Sequence, residues 1–232
     1  GLNSLLVDLA QNLEVTSISS PVSSYTFEEN ILLLELENSY DTDDTLSFII
    51  EYQGVPQMPG GYKGLRYETH DGGEAVIATL STPYLAHSWW PCKDGTADKS
   101  DSVYVDITVK DTIIGGLPLI ALSNGLLTNT TSDGVMKTFE WKHYYPIVPY
   151  YVMAAISNYE HFQQFFELDD ISFPIDYYVF ESHLEEAQEG VAEMLDAMAF
   201  YSEIFGPYPF RNEKYGMTQL GYYGAIENQT NT

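Results

Sequence analysis

The sequence predicts a mainly β domain followed by the opening of an α+β domain, and three observations carry that reading. Short runs rich in β-branched and aromatic residues, separated by turn signals, recur through the first 170 positions. Aromatics make up 14 % of the chain, with 19 tyrosines, and such side chains suit a pleated, half-buried surface. Beyond about residue 170 the apolar spacing changes from a strand period to a helical one. Hydrophobic residues are 44 % of the 232, enough to build a core.

The elements follow in chain order. Ile31 to Leu36 is a compact apolar run, suited to a strand buried on both faces, and Leu46 to Tyr52 is another. Asn38 to Asp44 between them is a polar turn whose oxygens lack an ordered calcium-ligand pattern. Gly54 to Gly64 holds four glycines and two prolines and reads as a loop. Val103 to Val109 alternates, with its valines and Ile107 on one face and Tyr104, Asp106 and Thr108 on the other. Tyr150 to Ile156 reads as a buried strand and Phe173 to Phe180 as a short one. Leu184, Ala187, Val191, Met194, Leu195, Met198, Tyr201 and Phe205 then mark one face of a helix over about 183–205. Ser182 with Glu185 predicts a capping box at its start, and Gly206-Pro207 a stop. Tyr215 to Thr230 reads as an extended hairpin. The expected division is residues 1–170 as a β-rich domain and 171–232 as the opening of a second domain.

Charge excludes some functions. Thirty-four acidic against nine basic side chains give a net charge of −25. A surface this negative repels phosphate backbones and anionic membranes, so nucleic acid is not an expected partner. It attracts cations, including peptide amino termini, only as a diffuse field. No stretch is long and apolar enough to span a bilayer. Cys92 is the lone cysteine, so no intrachain disulfide marks a compartment. The start, Gly1-Leu2-Asn3-Ser4, lacks a basic leader region and reads as trimmed.

No self-contained catalytic set is present. No two of His70, His87, His143, His161 and His183 lie three or four residues apart, so no helix offers a histidine pair to a metal. There is no H-E-x-x-H, no G-x-S-x-G elbow and no phosphate loop. Cys92 as a nucleophile would need a base such as His87 brought to it by the fold. Two segments stand out. Trp89-Trp90-Pro91-Cys92-Lys93-Asp94 carries two adjacent tryptophans whose N–H groups need partners if buried. Gly221 to Thr230 sets a carboxylate, Glu227, and an amide, Asn228, side by side on an extended stretch. Gly224 lets a backbone approach closely, and a strand edge bearing a carboxylate can pair with a peptide and hold its amine.

These two segments also carry a resemblance. Gly224 to Asn228 resembles the G-x-M-E-N exopeptidase motif of the aminopeptidase N family of zinc metallopeptidases, with Ile226 in the methionine position. Trp90-Pro91-Cys92-x-Asp94 resembles that family's F/W-P-C-x-D segment. His143 to Tyr151 resembles the strand closing its N-terminal domain, and Phe205 to Phe210 its F-G-x-x-Y/F-P-F segment. The four matches keep the family's order across about residues 80 to 230. The resemblance implies a saddle-like β-sandwich domain followed by the first α+β segment of a thermolysin-like catalytic domain. It implies release of single amino acids from peptides with a free N-terminus, with zinc as cofactor. Glu227 is then the anchor of the substrate's α-amine. Gly224, Ala225 and Ile226 lie along the substrate backbone, and Asn228 supports Glu227 or the amine. The family's H-E-x-x-H follows this motif, so the chain reads as an N-terminal portion ending before the zinc ligands. No catalytic or metal-binding residue is assigned to it, and it is expected to be inactive alone.

The first segment departs from the pattern. Thr82 stands where many members carry an acidic residue near the amine, and His87 where they carry arginine. Thr82 supplies no charge, so the resemblance implies amine binding that is either weaker or shifted to Glu227 alone. Two other readings fit the same residues: a non-catalytic binding or scaffold module of the same fold, and an acidic β-sandwich that binds sugars through its tyrosines.

Overall fold

The computed structural model describes residues 1–56, 64–70, 72–221 and 228–231. Close backbone contacts group them into two units, one comprising Gly1–Arg66, Thr79–Lys99 and Val148–Tyr150, the other Tyr67–Ala78, Ser100–Ile147 and Tyr151–Thr232.

The first unit holds β1 (Leu2–Asp8), β2 (Glu14–Ile18), β3 (Val22–Glu28), β4 (Ile31–Tyr40) and β5 (Ile50–Gln53). An antiparallel sheet runs in the order β1-β4-β3, and β2 pairs with β5. Leu32 and Leu34 are buried while Ile31 and Glu35 are exposed, so β4 has one core face rather than the two expected of its apolar run. The strand also continues to Tyr40, through the start of the predicted turn. Of the run from Leu46, only Ile50 onward pairs as a strand. Leu9, Ala10 and Leu13 form a small core with Val15, Phe27 and Tyr52. Tyr52 Oη donates to the Trp89 carbonyl at 2.9 Å, which fixes the tryptophan corner to this core.

The second unit takes in most of β6 (Leu65–Thr69) and β7 (Ala75–Thr79), then β8 (Val103–Lys110), β9 (Ile113–Ile114), β10 (Leu117–Pro118), β11 (Ile120–Ser123), β12 (Leu126–Ser132) and β13 (Met136–His143). It continues with β14 (Ala154–Ser157), β15 (Glu160–Leu168), β16 (Ile171–Val179), α1 (Leu184–Gly190), α2 (Met194–Phe205) and β17 (Tyr215–Thr218). Its sheets run β11-β14-β7-β6, β12-β13-β8 and β15-β16-β17, with a short β9–β10 hairpin. The alternation predicted for β8 is present: Tyr104, Asp106 and Thr108 are exposed, and Val103, Val105, Ile107 and Val109 turn inward. The predicted strand at Tyr150 begins only at Ala154, because Pro149 to Tyr151 form a 3-10 turn.

The main core joins Val76, Val109, Leu122, Phe139, Trp141, Tyr159, Tyr178 and Phe180. A second core packs Phe166, Phe173, Ile175 and Tyr177 against Leu195 and Met198 of α2. β17 lies parallel to β16, and the helices form the crossover that a parallel pair requires.

The helix expected over 183–205 is two helices. Gly190 ends α1, and the chain turns at 191–193 before α2 begins, in line with the entropic cost of glycine inside a helix. No capping box forms, since Ser182 lies in a preceding 3-10 turn and the cap position falls on His183 without a side-chain cap bond. The predicted stop is met, with Gly206 at φ 89°. Tyr201 and Phe205, expected on the same apolar face as Leu195 and Met198, are instead exposed, as are Phe200 and Ile204, because the last turn of α2 runs beyond the core that its first part covers.

Candidate functional site

Gly224, Ala225, Ile226 and Glu227 lie outside the described residues. Asn228, the next in sequence, is half-buried in the second unit. Thr82 belongs to the first unit, where it is exposed and its carbonyl accepts a hydrogen bond from the Leu85 N–H at 3.0 Å. His87 is held in the tryptophan corner. Its Nδ1 and its backbone N–H both meet Asp94 Oδ2, at 2.6 and 3.1 Å. The Asp94 N–H in turn donates to Asp8 Oδ2 at 2.9 Å, and Asp8 and Cys92 exchange backbone hydrogen bonds. Trp89 Nε1 donates to Ser81 Oγ at 3.0 Å. Burial raises the Cys92 thiol, and the charges of Asp94 and Asp8 raise it further. With its thiol protonated and the His87 ring engaged by Asp94, Cys92 is not an activated nucleophile.

The sequence immediately after the motif is held by a buried polar floor. Gln229, Thr230 and Asn231 are all buried. Asn124 organises this floor, because every polar atom of its amide is used. Its Oδ1 accepts from the Met153 N–H at 2.8 Å, and its Nδ2 donates to the Tyr151 and Gln229 carbonyls at 3.0 and 2.6 Å. Gly125 has φ 76°, and a Cβ there would lie 2.0 Å from the Lys142 carbonyl oxygen, so only glycine fits. Its N–H donates to Thr230 Oγ1 at 2.7 Å. Asn231 accepts from Thr218 Oγ1 of β17 at 2.8 Å.

Gln229 also reaches the strand end predicted to close the β domain. Its Nε2 lies 3.0 Å from both His143 Nε2 and the Pro146 carbonyl. The other ring nitrogen of His143, Nδ1, is 2.5 Å from Glu213 Oε2, and Glu213 Oε1 accepts from the Tyr144 N–H at 2.7 Å. His143 and Glu213 are buried, so both carboxylate oxygens are satisfied away from water.

Lys214, beside Glu213, is also buried, with Nζ 3.4 Å from the Ser123 carbonyl and 4.1 Å from the centre of the Trp141 ring. Burial lowers its ammonium to about 8, and the charges of Asp176 and Glu213 only partly restore it. Burial raises the Asp176 carboxyl, yet hydrogen bonds from His161 and Gln163, both 2.8 Å, and the Lys214 charge hold it below its ordinary value.

Sequence reading singled out none of Asn124, Glu213 and Lys214, and it named His143 only among the five histidines and within a strand match, and Gln229 only within the extended stretch ending at Thr230. Among the described residues, no group of three or more His, Cys, Asp or Glu is arranged to hold a metal. The Asn38–Asp44 stretch instead closes on itself through the Asp41 N–H and Asp44 Oδ2, at 2.7 Å. No helix among them is long and apolar enough to cross a membrane.

Comparison with known proteins places this architecture. No protein-family profile matches the sequence, and no curated protein is found similar to it. Among solved structures, the fold is that of the N-terminal part of M1 zinc metallopeptidases, the aminopeptidase N family. One such neighbour is the M1 zinc metallopeptidase of Deinococcus radiodurans, with TM-score 0.74 and 18 % identity over 97 % of this chain and 50 % of that one. A variant of that enzyme bound to a Tyr-Ser-Ala substrate gives 0.76 at 19 % identity, again over 97 % and 50 %. Legionella pneumophila aminopeptidase A, in complex with aspartic acid, gives 0.76 at 16 % identity over 99 % of this chain and 26 % of that one. The chain thus spans half or less of the length of these neighbours, and the likeness establishes its fold.

Proposed function

We propose that this chain is the N-terminal portion of a zinc-dependent aminopeptidase that releases N-terminal amino acids from peptides, with Glu227 anchoring the substrate's α-amine. The observation that carries the reading is the fold. It matches M1 metallopeptidases along nearly the whole chain, and the same chain bears Gly224-Ala225-Ile226-Glu227-Asn228 in the family's order. One of those neighbours was crystallised with a tripeptide substrate. On this reading residues 1–170 form the β-rich N-terminal domain and 171–232 open the catalytic domain. The sequence contains no H-E-x-x-H, so on this reading the zinc ligands belong to residues of the longer protein. These 232 residues alone are expected to be inactive.

The chemistry at this end of the substrate is recognition. A carboxylate that meets a charged amine makes a charge-assisted hydrogen bond and fixes which peptide bond is presented. Asn228 supports that carboxylate or the amine, Gly224 to Ile226 line the substrate backbone, and uncharged Thr82 adds at most a polar contact. The test uses the longer protein and aminoacyl chromogenic amides. Glu227→Ala is expected to raise KM and to lower kcat/KM by roughly 10- to 100-fold, the loss of about 1.5–3 kcal/mol. N-acetylated substrates are expected to resist cleavage. Wild-type kinetics in Glu227→Ala would remove the assignment, and absence of a downstream H-E-x-x-H would favour a non-catalytic module of the same fold.

A further inference from the structure

We propose that the outer stripe of α2 is an interior surface of the longer protein, covered there by an apolar segment of its C-terminal part. The proposal rests on the part of the reading above that makes this chain one portion of a longer protein.

Helix α2 is apolar on two sides. Met194, Leu195, Met198 and Ala199 pack on the second core. Ala197, Phe200, Tyr201 and Ile204 follow the spacing i, i+3, i+4, i+7, which lines up a second stripe, and Phe205 extends it at the helix end. Phe200, Tyr201, Ile204 and Phe205 are 54 to 78 % exposed. Their rings touch in series: Phe200 meets Tyr201 edge-on at 5.7 Å between centroids, and Tyr201 stacks on Phe205 at 6.0 Å. At about 150–250 Å² per aromatic side chain, the three rings alone expose on the order of 400 Å². Contiguous apolar surface on that scale marks a contact site, and a helix apolar on more than one side belongs to an interior.

Area and charge choose the occupant. A stable dimer needs about 800 Å² from each partner, and the patch offers about half of that. Helices α1 and α2 carry Glu185, Glu186, Glu189, Asp196 and Glu203 and no lysine or arginine. A second copy would therefore bring like charges together across an interface too small to offset them. A segment of the same polypeptide needs less area, because its covalent link supplies a high effective concentration. This chain matches only 50 % of the Deinococcus radiodurans enzyme, so a protein of that length has ample chain for the cover. Asp196 and Glu203 are seven residues apart and so lie on one line of the helix, beside the patch. The covering segment is expected to set lysine or arginine against that line.

The test is thiol labelling. Ile204→Cys places a thiol in the patch, and Ala199→Cys places one on the stripe that packs on the core. Cys92, the natural cysteine, is buried. Maleimide labelling, read by the mass of the peptide bearing each site, is compared in the 232-residue chain and in the longer protein. In the 232-residue chain residue 204 is expected to react about ten-fold or more faster than residue 199, and in the longer protein it is expected to become as slow as residue 199. Ala197→Cys, on the same outer stripe, is expected to behave like Ile204→Cys. Equal rates at 204 and 199 in the 232-residue chain, or unchanged labelling of 204 in the longer protein, overturn the proposal. A dimeric mass in sedimentation with residue 204 protected in the 232-residue chain also overturns it, since a second copy is then the cover. A reactive residue 204 in a longer protein that cleaves aminoacyl amides sinks this proposal only. A protected residue 204 in a longer protein without that activity leaves it standing and sinks the aminopeptidase reading.

Discussion

His87–Asp94 in the first unit and His143–Glu213 in the second are both histidine–carboxylate pairs, and they differ in what they join. His87 and Asp94 are seven residues apart in the chain, whereas His143 and Glu213 are seventy apart. The first closes a local corner, and its imidazole keeps some solvent contact, with 14 % of the side chain exposed against 0 % for His143. Asp94 Oδ1 has no hydrogen-bond partner among the described residues, while both oxygens of Glu213 are used. A pair that folds a corner tolerates an idle oxygen. The pair that joins the end of β13, the stretch after α2 and Gln229 is bonded at every polar atom.

Cutting the long-range pair is the strongest way to test that contrast. Glu213→Ala strips two bonds from a buried carboxylate and leaves the His143 N–H and the Tyr144 N–H without an acceptor. The expected loss is about 3–5 kcal/mol, since each bond to a charged group contributes about 1.5–3. Urea unfolding should show a lower midpoint with an unchanged slope. A loss under about 1 kcal/mol would mean that the network is decorative.

The next effect is a pH dependence confined to the second unit. The ordinary value for Lys214 is 10.5, and burial brings it to about 8 in the fold. Between those values the unfolded chain binds the proton that the folded chain has released. Stability from this group therefore rises as pH climbs from about 8 to 10.5, by up to about 3 kcal/mol. Asp176 acts on the acid side with the same sense, stability rising with pH, because its folded value is also the lower one. Its folded value lies below the ordinary 3.8, so its contribution is present above that and is lost as pH falls through the lower folded value. The check is the difference in Tm between wild type and Lys214→Met across pH 8 to 10. That difference should change with pH, and parallel curves would show that the ammonium is not buried as described.

Asp94→Ala is expected to cost less, about 2 kcal/mol, because His87 can turn part of its ring to water. A loss equal to that of Glu213→Ala would erase the distinction between the two pairs. The distinction also explains how far the sequence could be read. Local order was legible: the alternation of Val103 to Val109 and the stop at Gly206-Pro207 each depend on neighbours within a few positions. The break after Gly190 was hidden by an unbroken apolar spacing that runs on through Val191 and Met194. Leu32 and Leu34 showed that a continuous apolar run does not decide whether one face or both are covered, because that depends on which other strands arrive. The buried floor was not legible at all. Glu213, Lys214 and Gln229 look like ordinary polar surface residues in sequence, and only pairing across seventy or more positions makes them interior. Of the residues named for substrate, Asn228 is seen to sit beside that floor and Thr82 on an exposed loop.

The smallest expected effect probes where the network ends. Tyr145 packs beside His143, with ring centroids 5.9 Å apart, and meets the Phe210 ring edge-on at 5.2 Å. Its hydroxyl is buried, yet it has no hydrogen-bond partner among the described residues. The ring is thus part of the packing while the oxygen stands outside the bonded set. Tyr145→Phe keeps the ring contacts and removes a polar atom that has no bonding partner among the described residues. Stability should stay level or rise by about 1 kcal/mol, and the His143 ring nitrogens should keep their 15N shifts. A fall of more than about 1 kcal/mol, or a moved His143 signal, would place the hydroxyl in the network and extend the polar floor beyond Glu213 and Gln229.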